Sequence, residues 1–194
     1  MKKILITGFE PFGGEEINPS MIAVSQLPNE IKGCSLAKLF IPVVFGEAAD
    51  RVINAANEIE PDIILCVGQA GGRRAITPEL VAVNLRYAPI PDNAGNQPKD
   101  AAIIEDGENA YFTTLSARRM AEAVSAAGIP SEVSYSAGAY VCNDVLYTLL
   151  AHYKNTAVRV GFIHIPYCKE QSKEPYMEMG DIIKGLKAAI ESIV

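Results

Sequence analysis

The chain has 194 residues, 49% hydrophobic and 21% charged, with a net charge of −6. That length suits one domain, spanning 1–194, with a buried core. The acidic balance and the pI near 5.0 argue against a nucleic-acid footprint, and no apolar run reaches the roughly 18 residues of a membrane span. Lys2-Lys3 precede Ile4-Leu5-Ile6, but the apolar run stops at Thr7-Gly8, too short for the centre of a signal peptide. The expected location is therefore cytoplasmic.

In chain order, a strand over 2–7 leads into Gly8-Phe9-Glu10-Pro11-Phe12-Gly13-Gly14. Two readings stand for Phe9 and Phe12: packing beneath a sheet edge, or the wall of a pocket. Asn18-Pro19-Ser20 opens a helix with Asn18 as N-cap and Pro19 at the first helical position. A second strand is expected over 36–44 and a helix over 46–59, with Ala49, Val52, Ile53 and Ala56 on one face. The continuous apolar strand over 62–67 reads as buried on both faces. Gly68-Gln69-Ala70-Gly71-Gly72-Arg73 follows at its carboxyl end, where sites form in open α/β sheets. This turn lacks the Lys-Ser/Thr of a phosphate loop.

A strand over 80–85 then gives way to a Pro/Asn/Gly-rich loop over 86–109, of about 20 residues, a length that points to function or an interface. A helix over 114–127 is closed by Gly128. A short strand over 132–136 breaks at Gly138, and an apolar helix begins near Cys142, with Val145, Leu146, Leu149 and Leu150 in register. A strand over 157–165 ends at Pro166, 167–179 is polar and irregular, and an amphipathic helix over 181–194 closes the chain. Strands alternating with helices give an α/β fold, expected as a three-layer α/β/α sandwich around a mostly parallel or mixed sheet.

The four cysteines lack Cys-x-x-Cys spacing, so neither a redox motif nor a zinc ribbon is indicated. Cys66 reads as a buried small hydrophobe, and Cys34 falls in an expected loop. Cys142 differs: it sits where a strand and turn meet a helix N-terminus, whose free N–H groups and dipole favour a thiolate. Of the two histidines, His152 lies ten residues along the same helix, about 15 Å from Cys142. His164, at the end of the last strand, can meet Cys142 on one sheet edge; the competing reading is a half-buried strand histidine. Glu79 is the best-placed carboxylate to orient His164, against a plain reading as a solvated charge at a strand start. A zinc site from His164 and Cys168 is disfavoured because Pro166 breaks the helix that it needs.

Thr7 through Gly14 with Asn18-Pro19 resembles the opening of the pyroglutamyl peptidase type I (pyrrolidone-carboxylate peptidase) family. Val67 through Arg73, Ile76-Thr77-Pro78-Glu79 and Ile90-Pro91-Asp92-Asn93 follow in the family's order. Ser136-Ala137-Gly138 through Val141-Cys142-Asn143 resembles its nucleophile segment, and Gly161 through Tyr167 its histidine segment. The resemblance implies a cysteine peptidase that removes N-terminal pyroglutamyl residues from peptides, commonly a homotetramer, with no metal and no cofactor. It assigns Cys142 as nucleophile, His164 as base and acid, and Glu79 as the histidine's partner.

On that basis Phe9, Phe12 and Val141 are expected as apolar walls, and Asn18 or the Gln69 backbone as polar contacts for a lactam. The Cys142 N–H and the Gln69–Ala70 loop are expected to hold the oxyanion. Two departures stand out: Pro89 replaces an arginine that many relatives carry before Ile-Pro-Asp-Asn, and Cys168 occupies a commonly apolar position, as a surface thiol or an oxidisable one at a subunit contact. The competing functions are a nucleoside phosphorylase-like enzyme of similar architecture and an inactive lactam-binding module.

Overall fold

The computed structural model describes residues 1–194. Its six-stranded sheet has the order β2-β3-β1-β4-β8-β5. The four inner strands, β3 (Cys34–Ile41), β1 (Lys3–Phe9), β4 (Ile63–Gln69) and β8 (Arg159–Ile165), are parallel. Two-residue strands, β2 (Glu30–Ile31) and β5 (Thr77–Pro78), run antiparallel at the two edges. The sheet is therefore mixed. A separate antiparallel pair joins β6 (Val81–Val83) to β7 (Ala110–Phe112), and β9 (Tyr167–Cys168) pairs with β10 (Tyr176–Met177).

Alternation along the strands sorts the core into two layers. Ile4, Ile6, Ile63, Leu65 and Val67 face one way, onto α1 (Pro19–Gln26), α3 (Ala117–Ala126) and α5 (Met179–Ile193). Leu5, Ile64, Cys66, Val160 and Phe162 face the other, onto α2 (Glu47–Ile59) and α4 (Val141–His152). This is the α/β/α sandwich, and the near-continuous apolar strands reflect burial on both faces.

Several sequence expectations shift. The segment over 132–136 is no strand: only isolated bridges tie Ser131 to Ile76 and Ser134 to Glu79. The strand expected over 80–85 shortens to β6, and the region after Pro166 holds two short strands and a turn of 3₁₀ helix at Lys169–Gln171. Cys34 opens β3 and is buried, not in a loop. Cys168 is fully buried, so it is neither a surface thiol nor one offered at a subunit contact. Its burial pushes its pKa up to about 11.

The loop after β6 is organised by Asp92. Its carboxylate accepts the N–H groups of Phe45, Ala94 and Asn96 and the Asn96 side-chain amide. The loop is then pinned to the mouth of the sheet: Asn93 Nδ2 donates to the Pro11 carbonyl and Tyr140 Oη to that of Pro91.

Candidate active site

The carboxyl ends of β1, β4 and β8 open into a cavity of about 280 Å³. Cys142, His164, Phe9, Phe12, Asn18, Gln69, Ala70, Arg73 and Tyr140 line it, with Ser136 to Gly138 at its rim.

Cys142 sits in the first turn of α4, and its two successors anchor that turn. Asn143, fully buried, accepts the Val83 N–H through Oδ1 and donates to the carbonyls of Val83 and Leu85. Asp144, also buried, accepts the Gly46 N–H at 2.8 Å and pairs with Arg86 Nε at 2.6 Å. The first helical acceptor, the Tyr140 carbonyl, goes to the Asp144 N–H, so the preceding amides, Cys142's included, remain at the open helix end.

Gly68 brings the thiol to the sheet. It pairs in register with His164, and a Cβ built on it would lie 3.0 Å from Cys142 Sγ and 2.8 Å from Phe162 Cζ. The thiol thus occupies the space that a side chain beside His164 would need. The imidazole points to the α4 side, as Phe162 does two residues earlier, with ring centroids 4.7 Å apart. His164 Nδ1 lies 2.6 Å from Glu79 Oε1, which leaves Nε2 as the ring nitrogen for the cavity. Glu79 reaches that point because Thr77–Pro78 pairs antiparallel with β8 and the Glu79 N–H donates to the Phe162 carbonyl. It is fully buried, not a solvated charge.

The electrostatics differ from the sequence expectation of a thiolate. Burial, with the charges of Glu79 and Cys66 adding and Arg73 offsetting, pushes the Cys142 thiol up to about 12. Burial also lowers the His164 pKa from its ordinary 6.5, a cost that its hydrogen bond and charge interaction with Glu79 only partly offset. Burial alone would raise Glu79, but its hydrogen bond and charge interaction with His164, with a smaller contribution from the Arg73 hydrogen bond, bring it below its ordinary value. Both shifts favour a neutral thiol and a neutral imidazole held by a carboxylate, with desolvation the largest cause for each.

The walls also differ in one place. Phe9 and Phe12 line the cavity, but Val141 is fully buried and packs into the α2/α4 core. Tyr140 takes the third wall position, edge-on to Phe45 with centroids 5.3 Å apart. Asn18 is the helix cap expected: its Oδ1 accepts Ser20 N–H and Oγ–H, while Nδ2 donates to the Glu10 carbonyl. Ser20 Oγ in turn accepts the Phe9 N–H, so the cap fixes a cavity wall.

Gln69 offers its side chain: Oε1 accepts from Gln171 Nε2, leaving the Gln69 amide N–H groups free. The Ala70 N–H is already committed to the Ile165 carbonyl. Pro89 is exposed, and Arg86 is held by Asp144. The cation at the cavity is Arg73, paired with Glu79 at 2.8 Å, and sequence reasoning passed over it. No Asp or Glu lines the cavity, and no group of three potential metal ligands occurs in the chain.

A thiol and a carboxylate-held imidazole lining one cavity, at the strand ends of an α/β/α sandwich, are the equipment of a thiol hydrolase. Comparison with known proteins sharpens that class. The family described as pyroglutamyl peptidase matches residues 2–194. The chain is 48% identical over 198 aligned positions to a pyrrolidone-carboxylate peptidase of Lactobacillus johnsonii, covering 99% of this chain and 92% of that protein. It is 47% identical over 200 positions to one of Clostridium perfringens, covering 99% and 93%. Among solved structures, pyroglutamyl peptidase I of Bacillus amyloliquefaciens superposes with a TM-score of 0.95 at 44% identity, covering 100% of this chain and 97% of that one. Pyrrolidone carboxyl peptidase of Thermococcus litoralis gives 0.94 at 36%, covering 100% and 93%. The chain belongs to the pyroglutamyl peptidase family and is a hydrolase.

Proposed function

We propose that this protein hydrolyses the bond after an N-terminal pyroglutamyl residue, with Cys142 as nucleophile, His164 as general base and acid, and Glu79 as the orienting carboxylate. The observation that carries the substrate choice is the cavity lining: apolar rings, neutral amides and one arginine, without a carboxylate. An ordinary amino terminus enters as an ammonium and needs an anion. A pyroglutamyl lactam is neutral and needs flat walls with a few donors and acceptors. Phe9, Phe12 and Tyr140 supply the walls. Gln69, through its free side-chain N–H groups, supplies the polar contacts, and a site that bonds the ring carbonyl discriminates against proline, which lacks it.

In the reaction, the Cys142 S–H proton passes to His164 Nε2 as sulfur attacks the pyroglutamyl carbonyl carbon. The developing oxyanion is held by the Cys142 N–H at the open end of α4. The C–N bond breaks as His164 returns the proton to the leaving amine, and a pyroglutamyl thioester remains. Water, deprotonated by His164, then attacks the thioester; the thiolate leaves and recovers its proton. Proton transfer accompanies attack because the thiol rests neutral. No cofactor or metal enters these steps. Assembly as a homotetramer and a cytoplasmic location belong to the same proposal.

Acid quenching during turnover, followed by intact-mass and peptide analysis, tests the covalent step. The expected result is a pyroglutamyl adduct on the peptide carrying Cys142, absent from Cys142→Ser. An adduct on Cys34, Cys66 or Cys168, or turnover after stoichiometric alkylation of Cys142, would move the nucleophile.

A further inference from the structure

Arg73 closes the Gly-rich turn after β4, and its guanidinium joins two parts of the site. Nη1 donates to Glu79 Oε1 at 2.8 Å and to Thr77 Oγ1, and Nη2 donates to the Ser136 carbonyl at 3.1 Å. Ser136 to Gly138 form the cavity rim. The same Glu79 oxygen meets His164 Nδ1 at 2.6 Å, while Oε2 is buried with no partner. A buried carboxylate bonded through one oxygen only depends heavily on the groups at that oxygen. Backbone bonds tie Glu132 and Ser134 to Ile76, Pro78 and Leu80 but stop short of Ser136, whose carbonyl otherwise accepts only the local Ser134 Oγ–H.

We propose that Arg73 is a positioning residue: it holds Glu79 against His164 Nδ1 and, through the Ser136 carbonyl, ties that carboxylate to the rim over the cavity. The inference rests on the roles proposed above for His164 and Glu79. The two halves are separable by chemistry. Lysine keeps a point charge for the carboxylate but lacks the planar fork that reaches the carboxylate and the carbonyl together. Methionine keeps length and loses both.

The charged groups acting on the His164 imidazole are Glu79 before β6 and Arg73 from the turn, and Cys142 from α4 shares its cavity. Among them Arg73 is the cation, and its charge disfavours the imidazolium. Glu79 favours the imidazolium through its hydrogen bond and its charge, both larger effects than that of Arg73, so letting Glu79 drift from Nδ1 lowers the His164 midpoint, whereas loss of the Arg73 charge alone would raise it.

The test uses the whole protein labelled with ¹⁵N-histidine. The chain has two histidines, and His152, in the last turn of α4, is the internal reference. Wild type, Arg73→Met and Arg73→Lys are titrated by NMR and assayed on a pyroglutamyl amide. In Arg73→Met the His164 midpoint falls by about half a pH unit or more, kcat falls about tenfold or more, and KM rises; a rise in the midpoint would mark a charge effect with Glu79 still in place and would overturn the positioning role. Arg73→Lys restores the midpoint and most of kcat but keeps the raised KM. An unchanged midpoint and kcat in Arg73→Met, or a lysine variant no better than methionine in both, would overturn the link to Glu79. A wild-type KM in Arg73→Lys would overturn the tie to the rim, and this variant carries the test if Arg73→Met fails to fold. The NMR midpoint needs no substrate, so failure of the peptidase reading and failure of the Arg73 reading are told apart.

Discussion

At the residue scale, the chemistry turns on how far burial shifts two groups. The Cys142 thiol is held up to about 12, and His164 is held below 6.5. A resting thiolate–imidazolium pair would react with iodoacetamide at a rate nearly flat above neutrality. The neutral pair predicts instead that alkylation of the free enzyme accelerates by about tenfold per pH unit from pH ~7 to 10, following the thiolate fraction. A plateau beginning near pH ~6 would contradict it. That Cys142 and His164 meet at one cavity was legible from sequence: one cysteine stood at a helix mouth, and one of two histidines stood at a strand end. Arg73 was not legible. A Gly-rich turn advertises backbone conformation, and nothing in the order of residues shows that its last side chain folds back onto Glu79. The exchange of Val141 for Tyr140 has a similar cause. Adjacent residues at a helix start point about 100° apart, so a one-residue error in phase swaps cavity for core.

At the element scale, α4 is the part that aims the Cys142 thiol, the proposed nucleophile, into the cavity. Its apolar face, Val145, Leu146 and Leu149, was readable from helical spacing, and burying each such side chain contributes about 1.5–3 kcal/mol. Its rotation and axial position are set by the two polar residues after the thiol, whose partners on β6, α2's entry and Arg86 lie far away in sequence. Asn143→Ala leaves the Val83 N–H and two carbonyls without their partner. The expected cost is about 2–3 kcal/mol in urea unfolding, with a larger proportional loss of kcat than of substrate affinity. Wild-type stability together with wild-type kcat would show that α4 is positioned by its apolar face alone. The two-residue edge strands β2 and β5 escaped the sequence because neither is long enough to display alternation. β5 nonetheless matters most among the short elements, since its pairing with β8 delivers Glu79 to His164.

At the scale of the whole molecule, the layered α/β order was legible because each inner strand is apolar on both faces and each helix carries one apolar stripe. The same burial that builds the site shapes stability against pH. His164 and Glu79 both have folded-state values below their ordinary 6.5 and 4.5, so the unfolded chain binds protons first as pH falls. Their contribution is complete above about pH 6.5 and is lost first through His164, then through Glu79. Cys66, Cys142 and Cys168 are shifted the other way, to about 12, 12 and 11 from 9.0. Their contribution is complete below pH 9.0 and is lost above it. Chemical unfolding across pH should therefore show a plateau between about 6.5 and 9, with His164→Gln flattening the first step on the acid side. An acid decline unchanged in that variant would remove His164 from the explanation.

The central claim is that a cavity without a carboxylate, served by Cys142 and His164, cleaves after a neutral lactam. Release of a fluorescent amine from a pyroglutamyl amide tests it most directly, with the prolyl amide and Cys142→Ala measured alongside. The predicted result is turnover of the pyroglutamyl substrate alone, abolished in the variant. Turnover that survives Cys142→Ala, equal cleavage of the prolyl amide, or no turnover by freshly reduced protein would contradict the account.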